Sequence, residues 1–152
     1  MRVAINGFGR IGKLVLRAFL EKKIKNVEIV GINELGNIDS SIHLLKYDSI
    51  HGVLPLKIHQ TKKGLKIGKN NIIFYSEKDP NKLPWKSLKV DVVLECSGAF
   101  TSKEKAKAHI DAGAKKVVIS APASNVDKTI VQGVNNLTLT KKDNIISNGS
   151  CT

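Results

Sequence analysis

Three glycines near the start of the chain, Gly7, Gly9 and Gly12, stand in the spacing Gly-x-Gly-x-x-Gly between an apolar run and an amphipathic one. That spacing suits an anion. The first glycine permits a tight strand-to-helix turn. The second lets backbone approach a phosphate with no side chain in the way, and the third lets the helix pack against the strand. The open N–H groups of such a helix, at the positive end of its dipole, form a site for the pyrophosphate of a dinucleotide. Roughly twenty residues further on, Glu34 follows a run rich in β-branched residues, Val27 to Ile32. A carboxylate there binds the hydroxyls of an adenosine ribose. The competing reading, an exposed loop carboxylate, leaves both its spacing and its place at a strand end unexplained. A second reactive group lies in Ser147-Asn148-Gly149-Ser150-Cys151-Thr152. Small polar residues after an apolar run read as a turn into a helix, and a thiol at a helix N-terminus is held as the nucleophilic thiolate. Spacing alone allows an ordinary cysteine at 151 equally well. Cys96, by contrast, ends an apolar run and reads as a buried core residue.

The elements that must position these groups follow from periodicity. Arg2 to Asn6 reads as a short buried strand. Ile11, Leu14, Val15, Ala18 and Phe19 form the apolar stripe of a helix, which leaves Lys13, Arg17 and Glu21 to face solvent. Strand, helix and strand within about thirty residues make a βαβ unit, which closes right-handed into a parallel sheet. Asp39 to Lys46 reads as a short helix with Asp39 or Ser40 at its start, and Tyr47 to Gly52 as a loop. His51 in that loop is either a base or a local hydrogen-bonding group, and nothing nearby in sequence activates it. Leu56 to Tyr75 alternates around the turn signals Lys63-Gly64 and Gly68-Lys69, which predicts short antiparallel strands inserted at the sheet edge. Trp85 reads as a packing residue. Val90 to Cys96 is the next buried strand and ends at Ser97-Gly98-Ala99-Phe100. Thr101 and Glu104 are spaced as a capping box for a helix that runs through Ala112 and stops at Gly113. Val117 to Ile119 ends at Ser120, and Thr129 to Val134 and Asn144 to Ser147 are further candidate strands. The predicted class is α/β, a Rossmann-like, doubly wound, mostly parallel sheet with a small antiparallel insertion.

Composition restricts the partners. The 152 residues suit one domain with its own core, and 41% hydrophobic with 25% charged residues is a soluble globular balance. The apolar runs are too short to span a bilayer, no secretory signal is visible, and two cysteines make no disulfide framework, so a reducing, cytoplasmic setting and no membrane partner are expected. The net charge of +12 comes almost wholly from lysines scattered along the chain, with three arginines and no basic stripe interleaved with the four phenylalanines. That distribution argues for a lysine-rich bias over nucleic-acid binding, while a positive field still helps attract a phosphorylated ligand. No metal site is expected.

Several motifs together resemble one family. Ile5 to Gly12, His43 to Gly52, Cys96 to Phe100, Ala112 to Val117, Ser120-Ala121-Pro122, Gly133-Val134-Asn135 and Ser147 to Thr152 resemble, in order and over the whole chain, the N-terminal part of phosphorylating glyceraldehyde-3-phosphate dehydrogenase. The resemblance implies an NAD-binding domain over residues 1–148, with 149–152 beginning a catalytic domain that this chain does not include. It implies that Asn6 and the glycine turn, with Arg10 and Ile11, hold the pyrophosphate of NAD, and that Glu34, where aspartate is usual, binds the adenosine ribose. Lys78 stands near the adenine, where arginine is usual. Ser97, Gly98, Phe100 and Ser120 flank the nicotinamide. It further implies that Cys151 attacks the aldehyde of glyceraldehyde 3-phosphate, with Ser150 and Thr152 contacting substrate. The resulting thiohemiacetal gives hydride to NAD+ and becomes a thioester, which inorganic phosphate cleaves to an acyl phosphate. The family is homotetrameric. Two alternatives stand beside this reading: erythrose-4-phosphate dehydrogenase, which shares Asn-Glu-Leu at 33–35, and a nucleotide-binding module without turnover of its own. The family's base histidine lies downstream of the nucleophile, and His43, His51, His59 and His109 match no catalytic position, so negligible activity is expected of these 152 residues alone.

Overall fold

A computed structural model describes residues 1–149. The chain begins with β1 (Arg2–Asn6), α1 (Arg10–Glu21), β2 (Glu28–Asn33) and α2 (Ile38–Lys46), the βαβ unit that the glycine spacing predicts, followed by one more helix. A two-stranded hairpin of β3 (Tyr47–Asp48) and β4 (Gly52–Val53) comes next, then β5 (Ile58–Thr61), β6 (Gly64–Ile67) and β7 (Asn70–Tyr75). The second half runs through β8 (Val92–Glu95), α3 (Lys103–Asp111), β9 (Lys116–Ile119), β10 (Lys128–Thr129) and β11 (Ile145–Ser147).

The nine-stranded sheet has the order β10-β11-β9-β8-β1-β2-β7-β6-β5. All neighbours from β10 to β7 are parallel, and only the pairs β6–β7 and β5–β6 are antiparallel. Without the β5–β6 hairpin and the short β10, the parallel strands follow the doubly wound order 3-2-1-4-5-6, which reverses between β1 and β8. The carboxyl ends of those two strands are where such a sheet opens a crevice. The antiparallel strands expected over Leu56 to Tyr75 are present as β5, β6 and β7 at one end of the sheet. The last of them, β7, pairs parallel to β2 and delivers Glu77 and Lys78 to the same end of the sheet as Glu34.

Each face of the sheet has its own core. One packs Ile5, Phe8, Leu16 and Ile32 under α1 and α2. The other packs Ala4, Val93, Val117 and Trp85 under α3. As expected, Trp85 is fully buried.

Several sequence expectations need correction. The buried face of α1 is Gly12, Leu16, Phe19 and Leu20, while Ile11 is 43% exposed. Arg17, expected in solvent, is only 2% exposed. Its guanidinium donates to the carbonyls of Leu45, His51 and Gly52 and pairs with Glu21, so it ties α1 to the β3–β4 hairpin. Tyr47 to Gly52 is that hairpin's start rather than an open loop. Asn37 caps α2, accepting from the amides of Asp39 and Ser40. Ser102, not Thr101, caps α3 by accepting from Lys105, and Glu104 accepts from Asn125 instead of closing a capping box. The strand expected over Thr129 to Val134 ends at Thr129: Asn135 accepts the Val131 amide through its side chain, and Gly133 turns at φ +84°.

Candidate functional site

A cleft of about 450 Å³ lies at the carboxyl ends of β1, β2, β7 and β8. Of the residues singled out by sequence, Asn6, Gly7, Gly9, Glu34, Lys78, Ser97 and Phe100 line it. Arg10 and Gly9 line an adjoining recess with Lys13 and Asp48. Ile11, Gly12, Gly98 and Ser120 lie outside this lining. Ser150, Cys151 and Thr152 lie outside the described residues.

The three glycines differ in what holds them. Gly7 has φ +87°, and a Cβ there would come within 2.4 Å of the Ser97 Cα, so the β1 turn is packed tightly against the end of β8. A Cβ at Gly12 would lie 2.2 Å from the Gly7 carbonyl oxygen, so α1 sits hard on the turn. A Cβ at Gly9 would meet nothing within 4 Å. No contact within the protein requires glycine at 9, and the open space lies at the start of α1. Gly9 is the N-cap of α1 and offers no capping side chain, nor does the first turn carry an acidic residue. The first-turn amides therefore stay available to an anion.

Glu34 closes the other side of this turn. Its carboxylate accepts the Phe8 amide at 2.5 Å and the Gly36 amide at 2.9 Å, and its own amide donates to the Tyr75 carbonyl. A carboxylate accepting two backbone amides retains lone pairs for hydroxyl donors. Lys13 donates to the Phe8 carbonyl, and burial lowers its pKa, partly offset by the Glu34 charge. Arg10 pairs with Asp48. The Asp48 carboxyl is held down at about 2, first by the His51 amide, with the Ile50 amide and the Arg10 guanidinium adding to it. His51 thus acts through its backbone, donating from its amide to Asp48 and accepting from Arg17 at its carbonyl.

Cys96 corrects its sequence reading in part: it is half-buried and lines the cleft instead of sitting wholly in the core. Burial pushes its thiol up to about 11, so it is held as the weakly nucleophilic thiol. Ser120 donates its amide to the Glu95 carbonyl at the end of β8.

Sequence reasoning passed over the residues beneath the cleft. Glu95 is 1% exposed and His109 fully buried. The two meet at 2.8 Å, and Trp85 donates its indole N–H to His109 at 3.1 Å. Asn6 donates to Glu95, Asn33 donates to Asn6, and Asn33 holds the Glu77 backbone through both N–H and C=O. A charged residue inside the apolar run Val92–Cys96, and a histidine three residues from the buried Ala106 of α3, were the available signals.

Among the described residues no helix is long and apolar enough to cross a membrane. Compared with known proteins, residues 1–103 match the family described as glyceraldehyde 3-phosphate dehydrogenase, NAD binding domain. The chain is 48% identical to the glyceraldehyde-3-phosphate dehydrogenase of Cereibacter sphaeroides over 152 residues, covering 100% of the chain and 45% of that protein. It is 50% identical to the Thermotoga maritima enzyme of that name over 151 residues, 99% of the chain and 45% of the relative. It is also 50% identical to the Mycoplasma pneumoniae one over 153 residues, 100% of the chain and 45% of the relative. The chain thus spans about 45% of the length of these curated relatives.

Proposed function

Because the chain belongs to the glyceraldehyde-3-phosphate dehydrogenase family through its NAD-binding domain, we propose that the strand-end cleft holds NAD for the phosphorylating oxidation of glyceraldehyde 3-phosphate to 1,3-bisphosphoglycerate. The observation that carries this reading is the junction of Glu34 with the glycine turn. One carboxylate, bonded to the Phe8 amide, lies beside a helix start whose amides face open space. In this reading the first-turn amides of Arg10, Ile11 and Gly12 bind the pyrophosphate, Gly7 and Gly12 hold the turn, and Gly9 leaves room for the phosphate. Glu34 accepts from the adenosine ribose and repels a 2′-phosphate. Asn6 braces the floor, and Lys78 lies near the adenine. Ser97, Gly98, Phe100 and Ser120 flank the nicotinamide side.

NAD, when bound, supplies the hydride acceptor for the aldehyde oxidation. Cys151 is the nucleophile toward the aldehyde, Ser150 and Thr152 contact the substrate, and inorganic phosphate is the co-substrate. Residues 1–148 form the NAD-binding domain and 149–152 begin the catalytic one. The whole protein is a cytoplasmic homotetramer in this reading.

Titration calorimetry with NAD+ tests the site. Glu34→Lys is expected to weaken binding by at least about tenfold, the loss of a charged hydrogen-bond acceptor. An unchanged affinity would overturn the ribose assignment.

A further inference from the structure

We propose that Glu95 is the positioning residue of the cleft: one buried carboxylate sets both the Ser97 end and, through two asparagine amides, the Glu77–Lys78 end. The inference rests on the reading of this cleft as the NAD site.

The hydrogen bonds fix each group's role. The Trp85 indole N–H can only donate, so His109 accepts at Nδ1 and the neutral ring carries its hydrogen on Nε2. That hydrogen points to Glu95 Oε2 at 2.8 Å. Asn33 accepts the Glu77 amide at Oδ1 and donates from Nδ2 to the Glu77 carbonyl, both at 2.9 Å. Its second Nδ2 hydrogen goes to Asn6 Oδ1 at 2.7 Å, which leaves Asn6 Nδ2 to donate to Glu95 Oε2 at 2.6 Å. At the other oxygen, Ser97 Oγ accepts the Ala99 amide and donates its own hydrogen to Glu95 Oε1, and the Ser97 amide donates there too. Four donors therefore converge on Glu95, and no position on it is left for a proton. Among the described residues no lysine or arginine pairs with it. It is a buried anion held by neutral donors, an arrangement that is tolerable only when every lone pair is used.

The two amides have a direction, and Glu95 is what that direction points to. A glutamine at 95 could turn its NH2 toward Ser97 and still accept from Asn6 and His109, whereas Glu95→Met removes the acceptors at both places. Asn6 Nδ2 then has no acceptor at residue 95; turning Asn6 over would set its NH2 against Asn33 Nδ2, and turning Asn33 over in response would break both bonds to the Glu77 backbone. The carboxylate thus determines the geometry of a loop that it reaches only through Asn6 and Asn33 in the hydrogen-bonded series. It also fixes Ser97, the residue against which Gly7 is packed.

The test compares the full chain with its Glu95→Met variant, using calorimetry with NAD+ and with AMP, and the backbone amide resonance of Glu77 in 15N spectra. The expected result is a loss of roughly tenfold in affinity for both ligands and a changed Glu77 amide resonance. A carboxylate that only held β8 to α3 would leave that resonance where it is. Unchanged affinities, or an unmoved Glu77 amide, overturn the proposal. If the unsubstituted chain binds no NAD+, the cofactor reading fails, and the Glu77 resonance alone decides the relay. If Glu95→Met does not fold, the 13Cδ shift of Glu95 in the unsubstituted chain decides: a carboxylate value supports the assignment, and a carboxylic-acid value overturns it.

Discussion

Among the described residues each face of the sheet buries one charged side chain, Arg17 or Glu95, and the two are satisfied in different ways. Under α1 and α2, Arg17 is held by three backbone carbonyls of the α2–β4 region and by Glu21 at the surface, and its Nε has no partner among the described residues. Under α3, the Glu95 carboxylate is held by Asn6 and Ser97 at the strand ends and by His109 of α3. Arg17 fastens a peripheral hairpin to a helix. Glu95 fastens the floor of the cleft to itself. A buried charge can thus serve the fold or the site, and its partners decide which.

The comparison can be broken from either side. The largest effect is expected where the cleft floor is tightest. Gly7→Ala forces a Cβ against the Ser97 backbone at a positive φ and should cost about 3 kcal/mol or more in urea unfolding. Gly9→Ala, facing open space, should change stability by less than about 1 kcal/mol while weakening NAD+ roughly tenfold in calorimetry. Equal stability losses at the two positions would mean that the floor is no more rigid than its rim.

Next, Arg17→Met keeps the buried stem and removes the guanidinium, leaving the carbonyls of Leu45, His51 and Gly52 without that donor. A loss of about 2 kcal/mol in unfolding free energy is expected with NAD+ affinity unchanged. If Arg17→Met weakened NAD+ as much as Glu95→Met does, the distinction between the two faces would collapse.

The smallest effect is with pH. Asp48 in the β3–β4 hairpin and Asp127 beside β11 both have carboxyls depressed from 3.8 to about 2, Asp48 chiefly by the His51 amide and Asp127 chiefly by Lys103. A depressed carboxyl stabilises the fold fully above its unfolded pKa and stops doing so as pH falls through the folded one. Stability should therefore decline modestly between about pH 4 and 2. In hydrogen exchange, the amides of Ile50 and His51 should lose protection before those of β1. Loss of β1 protection first would place the acid-sensitive contacts under the cleft instead.

Much of the fold was legible because its signals are local. The glycine spacing and the β-branched run before Glu34 define β1, α1 and β2 within thirty-odd residues. What was missed depends on partners far along the chain. The phase of α1 came out one residue off because its stripe was read from apolar residues alone, whereas Arg17 is buried by carbonyls of residues 45, 51 and 52. Thr101 and Ser102 carry the same capping chemistry, and only backbone geometry chose between them. Part of the cleft rim was legible for the same local reason, as Glu34 and Ser97 follow strand ends, whereas Lys78 came only through the family resemblance. Its floor was not, since Asn6 and Glu95 are 89 positions apart and His109 reads as one polar residue in a short helix.

β7 is registered directly to β2, Gly31 to Ile73 and Asn33 to Tyr75, so the position of Glu77 does not depend on the hairpin before it. Because the Lys63 carbonyl accepts the Phe74 amide of β7, the place for an inserted residue in the β5–β6 turn is its Thr61–Lys62 side. A tag spliced in there is expected to leave the Glu77–Lys78 end of the cleft in shape.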